Sequence, residues 1–229
     1  MKTGKLKPFK IILLTLGLLL AIALIFLAKP LYQISQMNPL ETGEVIKGVY
    51  ALRNGNVNMF LVPIGDKYMA IDAGSNEQAV KEGLDTLRIA PSDVTVILLT
   101  HPHFDHVAAL NLFDNATVYM GNGDLPDGVS LPSKQMSDGE VAEISGHKIK
   151  AIHTPGHHDS SVVFIMDDKI MFSGDNFSLI DGRVDLFVSI FNADDRQQED
   201  DIRKLAGIQG IEHIFTAHHG YAEGPMVLK

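Results

Sequence analysis

Residues 100–106 read Thr-His-Pro-His-Phe-Asp-His, placing His101, His103, Asp105 and His106 within six positions. Imidazole and carboxylate are the side chains that bind zinc, iron or manganese. In an extended turn His101 and His103 project to one side, whereas the neighbours Asp105 and His106 must diverge. One ion would not take all four easily; two neighbouring ions would. The chemistry this stretch points to is therefore metal coordination, at a site that needs more ligands than the motif supplies.

Such ligands have to be held by regular elements. Residues 94–99 are apolar and β-branched throughout, as expected of a strand buried on both faces, and the motif follows at their carboxyl end. Strands are expected at 48–53, 57–64, 67–71, 117–120, 147–152, 162–166, 169–172 and 212–216, with turn signals at Gly65-Asp66 and Asp167-Asp168. Ser75 and Gln78 spell a capping box, and Val80, Leu84 and Leu87 then share one helical face until Pro91 stops the pattern. Residues 194–206 form a second helical segment, acidic at its start and carrying Arg203 and Lys204 near its end, in keeping with the helix dipole. Residues 121–137, rich in Gly, Pro, Asp and Ser, read as a loop. Two groups of strands with interspersed helices are satisfied by two sheets face to face with helices outside.

Three further motifs follow in order: Thr154-Pro155-Gly156-His157, Phe172-Ser173-Gly174-Asp175 and Ile214-Phe215-Thr216-Ala217-His218. Together with the opening motif they resemble the signature of the metallo-β-lactamase superfamily, over residues 48–220. The resemblance implies a four-layer αββα sandwich, of mixed α/β class, with metals at one edge. It places His101, His103 and His157 on one ion, and Asp105, His106 and the last histidine on the other, with Asp175 bridging. Register with the family's strand end favours His218 as that last ligand, although the adjacent His219 could also reach a metal. The implied cofactors are two divalent ions, zinc foremost, with manganese or iron as alternatives.

The family's chemistry is hydrolytic. A water held between two ions loses its proton readily, since coordination can bring a water pKa down to about 7, and the resulting hydroxide attacks a carbonyl or phosphoryl centre. Asp105, beside that nucleophile, can orient it and later pass a proton to the leaving group. Fold alone does not choose among lactams, lactones, thioesters and phosphodiesters. Asp175 resembles the bridging carboxylate of lactonases and hydroxyacylglutathione hydrolases, which true β-lactamases replace. The glutathione enzymes carry an added helical region that the few residues after Gly220 do not provide. The expected substrate is a small ester, lactone, thioester or amide. β-Lactam hydrolysis by the same site and a non-catalytic metal-binding or sensor module are the alternatives.

Other residues carry plainer readings. His147 and His213 lie on strand-like segments and read as surface or packing residues. His153 reads equally as structural or as a hydrogen-bond support for a ligand. His158 points away from its neighbour His157, and Asp72 in Ile71-Asp72-Ala73-Gly74 reads as a support of the metal loop rather than a ligand. Asp194 and Asp195 read as helix-start charges. Phe177, Leu179, Phe187 and Phe191 are either pocket lining or core.

The 229-residue chain carries a formal charge of −9, which disfavours a phosphate-tracking surface and a nucleic-acid partner. It has no cysteine, which removes disulfides, thiolate metal sites and a thiol nucleophile. Lys2, Lys5, Lys7 and Lys10 precede an uncharged run over residues 11–28, about 27 Å if helical, close to a bilayer's hydrocarbon thickness. Residues 1–30 are thus expected to be a cytoplasmic flank and a single transmembrane signal-anchor, with a cleaved signal peptide as the rival. Either puts the catalytic part outside the cytoplasm. Residues 31–44 read as a linker and 45–229 as the catalytic domain.

Overall fold

The computed structural model describes residues 8–229, apart from the side chains of Pro8, Ile11, Ala21, Ala23 and Ile25. Lys2, Lys5 and Lys7, the expected basic flank, lie outside the described residues. The chain divides into two compact units, Met1–Gln36 and Met37–Lys229.

In the first unit, helix α1 (Pro8–Ser35) holds Pro30 inside it and extends through residues 31–35 of the expected linker. Among the described residues no helix is long and apolar enough to cross a membrane, so the transmembrane span expected over residues 11–28 is not supported.

The second unit is built on two sheets. The first takes its strands in chain order: β1 (Gly43–Ile46), β2 (Val49–Asn54), β3 (Val57–Ile64), β4 (Lys67–Ile71), β5 (Val94–Leu99), β6 (Thr117–Met120) and β7 (Ser133–Gln135). The second comprises β8 (Val141–Ile144), β9 (His147–His153), β10 (Val162–Met166) and β11 (Ile170–Phe172), then, beyond a separate hairpin of β12 (Ser178–Ile180) and β13 (Arg183–Asp185), β14 (His213–Thr216) and β15 (Gly220–Glu223). Its spatial order is β15-β14-β11-β10-β9-β8. Helix α2 (Glu77–Leu87) lies over the first sheet, α3 (Phe104–Val107) is a single turn inside the histidine motif, and α4 (Asp195–Ala206) covers the second sheet.

Three apolar clusters define the layers. Val80 and Leu84 of α2 bury against Leu52, Leu61 and Ile97 on the outer face of the first sheet. Phe60, Leu98, Phe164, Phe172 and Phe215 fill the space between the sheets. Ile202 and Leu205 of α4 bury against Val163, Met171 and Ile214 on the outer face of the second. The alternation of inward and outward side chains along each strand thus serves both faces of both sheets, which is why β5 and β10 read as unbroken apolar runs.

Several local expectations differ from what forms. The cap of α2 is Asn76, whose side chain accepts from Ala79 N; Ser75 instead bonds Asn54 at the end of β2. Part of the 121–137 loop pairs as β7, parallel to β6, although its side chains are exposed and carry no apolar alternation. The β12–β13 hairpin turns on Asp181 and Gly182, both with positive φ.

Candidate metal centre

Parallel pairing brings the ligand segments out of the sheets at one edge. Phe172 of β11 pairs with Phe215 of β14, so the two chains leave the sheet side by side, and Asp175 and His218 each fall three residues beyond that pair. The Phe172 and Phe215 rings stack at 5.3 Å, and Phe60 lies 5.8 and 5.1 Å from them. Each such ring pair contributes about 0.5–1.5 kcal/mol beyond its burial, which fixes the strand ends where the ligands emerge. Gly174 adopts φ +54°, and a Cβ there would meet Thr100 Oγ1 at 2.6 Å, so a side chain would separate the two sheets' ligand loops.

Two groups of side chains that could hold an ion result: His101, His103 and His157 in one, Asp105, His106, Asp175 and His218 in the other. In the first, His103 Nδ1 lies 3.1 Å from His101 Nε2 and 2.9 Å from His157 Nε2. In the second, His218 Nε2 lies 3.2 Å from Asp105 Oδ2 and 3.3 Å from Asp175 Oδ2, and His106 Nε2 lies 3.4 Å from Asp175 Oδ1. Asp175 also faces the first group: its Oδ2 is 3.6 Å from His157 Nε2 and 3.8 Å from His101 Nε2.

The far side of each ring is held. Asp72, buried with φ +62°, accepts from Thr100 N at 2.8 Å and takes the Thr100 hydroxyl proton, and its Oδ2 lies 2.8 Å from His106 Nδ1. With its proton committed to Asp72, the Thr100 oxygen accepts from His101 Nδ1 at 3.0 Å. His218 Nδ1 donates to Asn56 O at 2.6 Å, and His157 Nδ1 faces Asn192 Oδ1 at 3.0 Å. These partners place the proton on Nδ1 and leave Nε2 of His101, His106, His157 and His218 to face the cluster.

Electrostatics divides the two groups. Burial, reinforced by neighbouring imidazoles, pushes the His101 pKa well below the usual histidine value, and burial brings His103 down to about 4 and lowers His157 as well. These are neutral imidazoles ready to donate lone pairs. In the other group burial works against charge on His218 and His106, but Asp175 outweighs it, with Asp105 adding to His218 and Asp72 to His106. His218 is held up to about 10 and His106 well above its usual value. The Asp175 carboxyl is held well below the carboxylate range: burial opposes its charge, and His218 and His106 more than offset it.

Within the cluster, the buried atoms His106 Nε2 and Asp175 Oδ1 have no hydrogen-bond partner among the described residues. Leaving buried polar atoms unpaired costs about 1–3 kcal/mol each, so their convergence on one point fits a cation there. Three neutral imidazole nitrogens, those of His101 and His157 each about 3 Å from that of His103, fit a second.

The remaining histidines fall outside both groups. His153 Nε2 bonds Met136 O, His147 pairs with Asp167 and His213 with the Tyr221 hydroxyl, so all three hold local structure. The His158 ring centre is 5.2 Å from that of His103, and its Nδ1 bonds Ser160. His219 is buried beside the Phe187 ring and belongs to neither ligand group. Asp194 caps α4 by accepting from Arg196 N and Gln197 N. Phe177 and Leu179 are core, whereas Phe187 abuts His157, His218 and His219, and Phe191, 6.5 Å beyond it, is exposed. Sequence reasoning overlooked Asn192, Gln198 and Asn56. Gln198 and Asp201 occupy the buried stripe of α4 with Ile202 and Leu205, and polar residues at such positions are the signal that marks them.

A family model described as the metallo-beta-lactamase superfamily matches residues 52–218. The chain belongs to that superfamily. Among its relatives, a lactamase-like protein of Pestalotiopsis fici is 28% identical over 64% of this chain and 48% of its own length. An atrochrysone carboxyl ACP thioesterase of Aspergillus terreus is 30% identical over 52% of this chain and 38% of its own length. The chain thus spans less than half the length of these curated relatives. A metallo-β-lactamase family protein of Thermus thermophilus shares the fold with a TM-score of 0.60 at 20% identity, covering 79% of this chain and 76% of that one. The subclass B3 metallo-β-lactamase BJP-1 of Bradyrhizobium japonicum does so with a TM-score of 0.61 at 15% identity, over 80% and 79%.

Proposed function

We propose that this chain is a dinuclear-metal-dependent hydrolase of a small ester, lactone, thioester or amide. The observation that carries the reading is the position of Asp175 Oδ2, within 3.3–3.8 Å of ligand nitrogens from both groups. His101, His103 and His157 would hold one ion, Asp105, His106 and His218 the other, and Asp175 would touch both. Bound there, two divalent ions supply Lewis-acid polarisation and an acidified water.

The protein's own groups supply the rest. Asp105 is partly exposed, and its carboxyl is held below the usual value: burial opposes this, but the His218 hydrogen bond and His106 prevail. It is therefore ionised at neutral pH, able to accept a proton at its carboxylate oxygen and return it to a departing alkoxide, thiolate or amine. Phe187 closes the base of the site against His157 and His218, and exposed Phe191 next to it offers an apolar surface to an acyl group. The thioesterase among the relatives supports the thioester arm. A bridging aspartate favours esters over lactams. Placement outside the cytoplasm is part of this proposal and rests on the lysine-flanked apolar run of the first thirty residues; protease accessibility in intact cells tests it.

Incubating the purified chain with zinc or manganese against acyl esters, acyl thioesters, lactones, phosphodiesters and β-lactams tests the reading. Turnover of a carboxylic ester or thioester, abolished by chelator, is expected. Turnover confined to phosphodiesters or lactams, or none with both ions bound, contradicts it.

A further inference from the structure

The Thr154-Pro155-Gly156-His157 loop is docked on the start of α4. Ala193 N donates to His157 O at 3.0 Å, Asp194 N to Gly156 O at 2.9 Å, and Gly156 N to the buried Asp201 Oδ2 at 2.8 Å. Within this junction Asn192 and Gln198 form a closed amide pair. Asn192 Nδ2 donates to Gln198 Oε1 at 2.9 Å, and Gln198 Nε2 donates to Asn192 Oδ1 at 2.9 Å.

An amide pair of this kind has two self-consistent orientations, and its surroundings permit only one. Gln198 Oε1 accepts from the backbone Phe187 N at 3.0 Å, and Gln198 Nε2 faces the backbone carbonyl of Asp175 at 3.4 Å. Asn192 Nδ2 donates to the Asp195 carboxylate at 2.7 Å. Flipping both amides would set donor against donor at Phe187 N and acceptor against acceptor at Asp175 O and Asp195. Backbone groups cannot change role, so Asn192 Oδ1 is fixed toward His157 Nδ1, 3.0 Å away.

We infer that Gln198, acting through Asn192, is a positioning residue that locks His157 in its Nδ1–H tautomer and so keeps the Nε2 lone pair aimed into the ligand cluster. The same side chain reaches the backbone of Asp175, tying the third histidine to the central carboxylate. Gln198 is fully buried, so no water competes for these bonds. The inference rests on the metal reading for its consequence but not for its geometry.

The test is made on the full chain. Histidine nitrogen–proton correlation spectra of the metal-free protein report each ring's tautomer, and competition with a chromophoric chelator reports zinc affinity in two steps. Wild type is expected to show His157 protonated on Nδ1. Gln198→Glu puts an acceptor where the amide nitrogen stood, opposing Asn192 Oδ1 and Asp175 O, and is expected to break the pair, displace Asn192 Oδ1 from His157 and let the His157 proton move to Nε2. Asn192→Ala, at a less buried position, removes the acceptor outright and keeps the idea testable where Gln198→Glu fails to fold. Either variant should weaken one zinc step about 10–100-fold and leave the other unchanged. A His157 ring protonated on Nε2 in wild type, or folded variants with an unchanged tautomer and both zinc steps intact, overturns the inference. Wild type that binds no zinc, yet shows the expected tautomer and its shift, counts against the metal reading and not against the lock.

Discussion

His218 Nε2 lies 3.3 Å from Asp175 Oδ2 while its Nδ1 donates to the Asn56 carbonyl, so this histidine and this carboxylate face one another with their free valences inward. His219, next in the chain, donates its backbone N–H to Thr216 Oγ1, and its ring belongs to neither group. Of the two adjacent histidines left open in the sequence, His218 falls in a group that could hold an ion, and we propose it as the ligand. His218→Ala should lower affinity for the second ion by more than ~100-fold, since a lost ligand costs more than the 10–100-fold of a lost supporting bond. His219→Ala should bind both ions normally. Metal content after dialysis against a weak chelator distinguishes the two.

Asp105→Ala should lose about 10²–10⁴-fold in kcat, the usual worth of a positioned acid–base group, with its circular dichroism unchanged. Retained turnover at matched metal content would remove Asp105 from the mechanism.

Metal uptake should release protons. Without an ion, His218 is held up to about 10 and His106 well above its usual value, chiefly because Asp175 outweighs the burial of both rings. Protonation of such a raised group stabilises the folded chain fully below the unfolded value of 6.5, and that contribution is lost as pH rises towards about 10. An ion at this group must displace the protons, so its affinity rises with pH over that window. Calorimetry at pH 8 in buffers of different ionisation enthalpy should show about two protons released per chain. Identical heats in all buffers would contradict this.

Gly156→Ala should loosen the His157 loop. A Cβ at Gly156 would lie 2.2 Å from the backbone N of Gln198, a contact that no side-chain rotation relieves. Overpacking of this kind costs about 1–3 kcal/mol, visible as a lower urea midpoint, and the loop's displacement should weaken the first ion alone. An unchanged midpoint would mean that the loop and α4 are not tightly coupled.

Asp72→Ala should be destabilising by about 3–5 kcal/mol, because it strips the partner from buried His106 and leaves Thr100 N and its hydroxyl unsatisfied. Equilibrium unfolding measures it, and a change under 1 kcal/mol would show that solvent replaces the carboxylate without cost.

The clustering of these histidines and aspartates was legible because each lies close to a strand end. Apolar runs such as 94–99 announce the strand, and the residues just past it announce the ligand. The same periodicity placed β3, β4, β5, β6 and β10 at their observed bounds. What stayed hidden depends on contacts between distant segments. β7 is exposed and held only by pairing with β6, so its residues carry no pattern of their own. Ser75 and Gln78 spell a cap, but Asn54, 21 positions upstream, takes Ser75 and leaves the cap to Asn76. Asn192 and Gln198 sit 35 and 41 positions after His157 and become legible only once α4 is docked on its loop. The apolar run at residues 11–28 shows the converse: composition suggested a span, and among the described residues no helix meets the requirement.

The central claim is that Asp175 joins two ion sites, and metal stoichiometry tests it most directly. Elemental analysis of the zinc-loaded protein should give two ions per chain, and Asp175→Ala should give one or fewer after the same dialysis. One ion or none in the wild-type protein, or two retained in Asp175→Ala, would contradict it.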